Sequence, residues 1–226
     1  MENPLIEAPV PPVPQDVEPG GVRWLRANVA RFSRPGDHPR RRALVLAELA
    51  PMASLRDKAF ALTRELRDEP VDRIGWTVPV AVLAAELGLP DVSRDIATVS
   101  AAYHPHTETG PDAEEAMRRL IEACGGDVGE RTAARIGLLV QACDATARLL
   151  GKALAARRPG EDAVSLLDRV LREDPPVRIT RRWVGGEVVE VDLAKHPFGA
   201  GPKRCPGRAH ALEVAAGILD VLLRGD

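Results

Sequence analysis

Aromatic residues are scarce in this sequence. Phe, Trp and Tyr make up only 3% of the 226 residues, which argues against recognition of nucleic acid by stacking on bases. The formal net charge is −2, so no overall basic character attracts nucleic acid or an anionic membrane. Of the 31 basic residues 27 are Arg and only four are Lys, a bias that we attribute to a GC-rich genome. We therefore expect no nucleic-acid partner.

Long apolar runs and cysteine clusters are also missing. No stretch of 18 apolar residues occurs, and the N-terminus has neither the basic start nor the apolar core of a signal peptide. We expect a cytoplasmic protein with no membrane partner. The three cysteines show no CxxC pair and no zinc-type spacing. Cys124 and Cys143 are interpreted as small buried hydrophobic residues, which leaves Cys205 as a candidate ligand or nucleophile.

The spacing of apolar residues predicts a mostly α-helical protein. Residues 1–20 contain six prolines and are predicted to form a tail that is extended or disordered, or that lies on the surface as a strap. A single domain is predicted over residues 21–226. The longest helical pattern covers residues 130–157; its centre, IGLLVQACDATARLL, is apolar on nearly every side, so this helix is expected to be buried. A short apolar helix is predicted after Pro79, and two short strands are predicted around Gly185–Gly186.

The stretch FGAGPKRCPG, residues 198–207, places the third cysteine in a glycine-rich loop that runs into an apolar helix. Backbone N–H groups at a helix N-terminus favour a thiolate, and glycines let the backbone approach a flat or bulky group. A thiolate held in this way suits axial ligation of haem iron. The alternative is a Gly-Pro turn that contains an incidental cysteine.

The loop matches the pattern FxxGxxxCxG through Phe198, Gly201, Cys205 and Gly207. Chance gives roughly 3 such matches in 10,000 chains of this composition. The loop resembles the haem-ligand loop of the cytochrome P-450 family. This resemblance implies a shortened cytochrome P-450-like helical fold with a small β element, haem b as cofactor and Cys205 as the ligand of its iron.

Four basic residues resemble those that bind the haem propionates in this family. His38 and Arg42 match its HxxxR motif and share one helix face, and Arg suits bidentate carboxylate binding. Arg182 matches the arginine of a PPxxxxxR segment, and Lys203 stands where bacterial members often carry a histidine. A capping role for His38, and a solvated face for part of the Arg40-Arg41-Arg42 run, are the alternatives.

The segment LLVQACDATARLL resembles the central helix that crosses the distal face of the haem. The resemblance implies that Asp144 and Thr146 are the distal catalytic groups. The family's threonine aligns with Ala145, however, and Thr146 would point about 100° around the helix. The family's Glu-x-x-Arg motif is also altered, to Arg169-x-x-Arg172.

These residues lead to three hypotheses about function. The first is a haem-thiolate, monooxygenase-like enzyme that oxidises a small organic substrate in secondary metabolism, with ferredoxin and its reductase as candidate electron donors. The second keeps the haem but uses peroxide, or catalyses a non-oxidative rearrangement or dehydration, because Ala145 weakens proton delivery. The third is a degenerate, non-catalytic relative that acts as a binding or scaffold partner. A shortened core that exposes apolar area would favour a homodimer or a partner subunit.

Overall fold

A computed structural model of the protein describes residues 4–225 and contains α-helices with one β-hairpin between the last two of them. The helices are α1 Val22–Asn28, α2 His38–Leu49, α3 Leu55–Glu65, α4 Val71–Glu86, α5 Ser93–Ala102, α6 Pro111–Ala123, α7 Glu130–Ala156, α8 Ala163–Glu173 and α9 Arg208–Leu222. The strands are β1 Ile179–Val184 and β2 Glu187–Asp192. No helix in this described part is long and apolar enough to cross a bilayer.

The long helix α7 lies at the centre of the protein. Helices α2, α4, α5 and α8 pack around it, and residues along its whole length are buried, including Ile136, Leu139, Cys143 and Leu150. Its boundaries agree closely with the predicted helix over residues 130–157. Burial on several faces follows from the apolar centre of the helix, whereas the side chains of Arg131 and Arg148 stay exposed.

Helix α9 packs closely against α3 and thereby fixes the loop that precedes it. The contact depends on Gly217, where an added Cβ would lie 2.2 Å from the carbonyl oxygen of Arg56. Any larger residue would push the two helices apart. The cysteine loop therefore ends on a helix whose position is set by close backbone packing.

Two helices depart from the sequence pattern. The helix predicted to start after Pro79 begins at Val71, with the proline buried in its interior. A proline inside a helix costs about 3 kcal/mol, but burial of Ile74 and Val78 contributes roughly 1.5–3 kcal/mol each and offsets it. Helix α5 was not predicted and buries Ile96 and Val99 three residues apart.

After a 3₁₀ turn at Pro4–Glu7, the described part of the proline-rich N-terminal segment lies against the hairpin as an extended strap. Strands β1 and β2 pair in antiparallel fashion around Gly185–Gly186, as the sequence predicts. The Trp183 N–H donates to the Pro9 carbonyl at 2.7 Å, and the side chains of Ile6 and Val13 are buried. A strap laid on the surface is one of the arrangements that the proline-rich composition predicts.

Candidate functional site

The cysteine loop is shaped by glycines and closed by a backbone hydrogen bond. Gly199 and Gly201 have φ of 72° and 57°, in the left-handed region that favours glycine. The Cys205 N–H donates to the Phe198 carbonyl at 2.8 Å, and the guanidinium of Arg208 lies 5.5 Å from the centre of the Phe198 ring. These contacts hold Cys205 immediately before α9.

Cys205 is an exposed residue, although protein surrounds its sulfur closely. Desolvation by this surrounding chain raises the pKa of the Cys205 thiol overall. The Gly207 N–H, hydrogen-bonded to the sulfur, and the charges of Arg31 and Arg42 oppose that shift and favour the thiolate. Cys205 therefore combines an exposed position in the chain with groups that support a negative sulfur.

Two of the predicted cations tie the cysteine loop to the chain around α2. Arg42 donates from Nη1 to the Arg204 carbonyl at 2.7 Å, next to the cysteine. Lys203 donates from Nζ to the carbonyls of Ala30 and Ser33 at 3.2 and 3.0 Å. Both residues therefore hold the loop through neutral acceptors and keep their positive charges uncompensated.

His38 lies beside these cations, and only 6% of it is exposed. Burial, followed by the charges of Lys203 and Arg42, lowers the pKa of His38 to about 4. Burial, together with the charges of Arg182 and Arg42, lowers the pKa of Lys203 to about 8. The structure therefore brings all four residues of the predicted propionate set into one electrostatic neighbourhood.

Arg182 is held at the junction of hairpin and strap. It is 5% exposed and donates from Nε to the Ile6 carbonyl at 2.9 Å and from Nη1 to the Thr180 hydroxyl at 2.8 Å. Burial lowers its pKa, and the nearby charge of Arg31 lowers it further. Together these cations form a basic cluster, which consists of Arg31, His38, Arg42, Arg182 and Lys203.

The basic cluster contains no internal counter-ion. Within residues 4–225, no carboxylate lies within 4 Å of a cationic nitrogen of any of its members. Like charges held together in partly buried positions are unfavourable unless an anion joins them. The arrangement is therefore suited to binding a ligand with negative charge.

Sequence reasoning missed one member of the cluster and one structural arginine. Arg31 lies in the short 3₁₀ turn Ala30–Phe32, outside the motifs that identified the other members. Arg40 is exposed, as a solvated helix face requires. Arg41 is instead buried and donates to Glu130 at 2.8 Å, so it supports the packing of α2 on α7.

A cavity of about 420 Å³ lies beside α7, between the end of α5 and residues 175–179. This α7 cavity is lined by Val140, Asp144 and Ala145, and by Tyr103 after α5. The Asp144 carboxylate accepts from Arg148 at 2.9 Å.

The two predicted catalytic residues of α7 are separated by the structure. Asp144 faces the α7 cavity, whereas Thr146 is 4% exposed and is not part of its lining. The 3.6-residue turn of the helix places the two side chains on different faces. The catalytic role of Thr146 stays a prediction without support from this geometry.

The altered Glu-x-x-Arg motif has its own ion pairs. Arg169 is buried and binds Glu161 bidentately, with Nε to Oε1 at 2.8 Å, and its Nη1 lies 3.6 Å from Glu173. Arg172 is exposed. Arg169, which stands in the position of the family's glutamate, is therefore neutralised by Glu161, which precedes it in the chain, and by Glu173, which follows it.

Comparison with known proteins identifies the fold. No family model matches the chain, and no curated protein matches it. Among solved structures, the crystal structure of Mycobacterium smegmatis CYP164A2 with econazole bound is similar, with a TM-score of 0.62 and 23% identity, covering 85% of this chain and 72% of that one. CYP164A2 is a cytochrome P450. The prediction of a mostly α-helical, cytochrome P-450-like fold with a small β element is therefore confirmed.

Proposed function

We propose that this chain is a haem-thiolate enzyme of the cytochrome P-450 family, in which Cys205 binds the iron of haem b and a small organic substrate is oxidised. One observation carries the proposal: the exposed Cys205 and the basic cluster, which has no carboxylate partner among residues 4–225, meet at one loop. Haem needs an axial ligand for its iron and cations for its two propionates. The donor set fits both needs.

The propionates would be held by Arg42, Arg182, Lys203 and His38. A charge-assisted hydrogen bond of this kind contributes about 1.5–3 kcal/mol. Without haem His38 has a pKa of about 4 and is neutral at pH 7, so its first contribution would be a hydrogen bond, whereas the other three residues would contribute charge. Phe198, Gly201 and Gly207 would shape the loop around the cysteine.

When bound, haem with a thiolate ligand supplies the oxidising chemistry, because the sulfur pushes electron density towards the iron. The chain's own residues would bind the substrate in the α7 cavity, whose volume lies within the ordinary range for ligand pockets. Asp144 would be the polar group of this cavity nearest to the centre of α7. Its carboxylate accepts a hydrogen bond from Arg148.

A second candidate is a peroxide-driven or non-oxidative reaction of the same haem protein. It is favoured by the cavity wall, where Ala145 supplies no hydroxyl and the Thr146 hydroxyl lies elsewhere. Such reactions do not need a proton relay through α7. A role in secondary metabolism, a ferredoxin partner, a cytoplasmic location and a homodimer stay predictions.

The test is an absorption spectrum of purified protein supplemented with haem, recorded oxidised and then reduced under carbon monoxide. Wild type should show the spectrum of a thiolate-ligated haem, and Cys205→Ser should lose it. Cys124→Ser, which changes a half-buried cysteine outside the loop, is the matched control and should keep it. Absence of haem uptake by wild type refutes the function, and an unchanged spectrum in Cys205→Ser refutes the ligand assignment.

A further inference from the structure

The walls of the α7 cavity carry an excess of positive charge. The lining includes one carboxylate, Asp144, and four cationic side chains. The cations are Arg31, Arg148, Lys152 and Arg178. His104 also lines the cavity, but burial and the charge of Arg31 lower its pKa, so it adds little charge at neutral pH.

Three of these four cations already have partners within the chain. The pairs are Arg148–Asp144 at 2.9 Å, Arg178–Asp174 at 3.9 Å, and Lys152–Asp174. Arg31 has no carboxylate within 4 Å in the described part of the chain, and its guanidinium lies 5.7 Å from the centre of the Phe32 ring. Arg31 is therefore the cation of this cavity that is left for a ligand.

A second polar group of the lining also lacks a partner. Tyr103 is 3% exposed, and its buried hydroxyl has no hydrogen-bond partner among the residues described. Burial raises the pKa of Tyr103, so the hydroxyl is a donor at neutral pH. Its ring lies 5.2 Å from that of Phe32, the ring that Arg31 covers. The Arg31 guanidinium and the Tyr103 hydroxyl, both without acceptors among the residues described, thus belong to side chains that contact the same ring, that of Phe32.

The rest of the lining includes apolar side chains, among them Val140, Ala145, Val177 and Ile179. We propose that the α7 cavity binds an organic carboxylate, whose acid group contacts Arg31 and the Tyr103 hydroxyl and whose apolar part lies against Val140 and Ile179. As an assignment of substrate class this inference rests on the proposed function, but the binding itself is measurable without haem.

The experiment compares octanoate with octanamide, which has the same chain length and no charge. Both are titrated calorimetrically into the full-length protein, with and without haem. Wild type should bind octanoate about tenfold more tightly than octanamide, and Arg31→Gln should remove this preference, a change of about 1.4 kcal/mol. Arg31→Lys should restore most of it. Arg34→Gln, an exposed arginine in the same loop that does not line the cavity, should behave as wild type.

The outcomes separate this inference from the proposed function. Equal binding of acid and amide by wild type, or equal weakening of both in Arg31→Gln, overturns it even if haem is bound. Preference for the acid in protein that takes up no haem supports the carboxylate site and refutes the haem function. Tyr103→Phe should weaken octanoate alone, and unchanged octanoate affinity overturns the part assigned to the hydroxyl. Circular dichroism verifies that each variant is folded.

Discussion

Protonation of His38 should destabilise this protein as the pH falls. The pKa of His38 is about 4 in the folded protein, because the ring is buried beside Lys203 and Arg42, and about 6.5 when the chain is unfolded. Below pH 6.5 the unfolded state therefore binds more protons than the folded state. Folded stability contributed by the neutral ring is complete above pH 6.5, is lost progressively below it, and is fully lost below pH 4.

The expected magnitude follows from these two pKa values. At pH 5 the free energy of unfolding should be about 2 kcal/mol lower through His38 alone than at pH 7 and above. For a domain of this size that corresponds to a fall in Tm of about 4–8 °C. An effect of about 2 kcal/mol is a substantial fraction of the roughly 5–15 kcal/mol by which an ordinary domain is stable, so it is measurable.

The assay is urea unfolding of the haem-free protein at pH 7 and pH 5, for wild type and His38→Gln. The variant cannot gain the proton, so its loss of stability between the two pH values should be smaller by about 2 kcal/mol. Other titrating groups, including His104, are common to both proteins and cancel in the difference. If wild type and His38→Gln show the same pH dependence, His38 does not lie in the uncompensated cluster as argued. In the haem-bound protein, propionates beside His38 should weaken the pH dependence of the free energy of unfolding.

Two further predictions concern the proposed haem site. Arg182→Ala should lower haem affinity about 10- to 100-fold, since one charge-assisted contact is removed. Arg181→Ala, on the exposed face of the same strand, should leave haem affinity unchanged. Haem titration measures both variants, and equal haem affinities contradict the assignment of Arg182. Ala145→Thr should improve the coupling of reductant to product with a surrogate ferredoxin reductase, because it places a hydroxyl on the cavity wall. Wild type should leak peroxide and work better with added peroxide; a tightly coupled wild type that gains nothing from the threonine shows that this position does not govern the chemistry.

The cysteine loop could be predicted from the sequence because its requirements are local. A thiol, the left-handed glycines and a following helix lie within ten residues, and the structure closes them with one hydrogen bond from Cys205 to Phe198. Helix α7 could also be predicted from the local sequence, because the centre of its pattern is apolar on nearly every side. The membership of Arg31 in the basic cluster could not be predicted locally. Lys203 lies far along the chain and binds the carbonyls of Ala30 and Ser33, which flank Arg31.

The sequence did not predict the helix boundaries where burial in the folded protein overrides the local preference of the chain. A proline such as Pro79 ends a helix unless tertiary contacts stabilise the helix on both sides of it. Here the residues on both sides are packed against α7. Helix α5 is short and carries polar residues, so its pattern is weak until Ile96 and Val99 meet the core. Such contacts connect residues distant in sequence and cannot be read from a local window.

The basic cluster also bears on the hypothesis of a non-catalytic scaffold. Burial and mutual repulsion lower the pKa values of His38, Arg182 and Lys203, which means that the folded chain holds their charged forms less favourably than water does. A protein without an anionic ligand would gain stability by replacing them with neutral residues of similar size. A scaffold could keep the cluster only if its partner supplied the missing negative charge, so the scaffold hypothesis predicts an acidic partner where the haem hypothesis predicts two propionates.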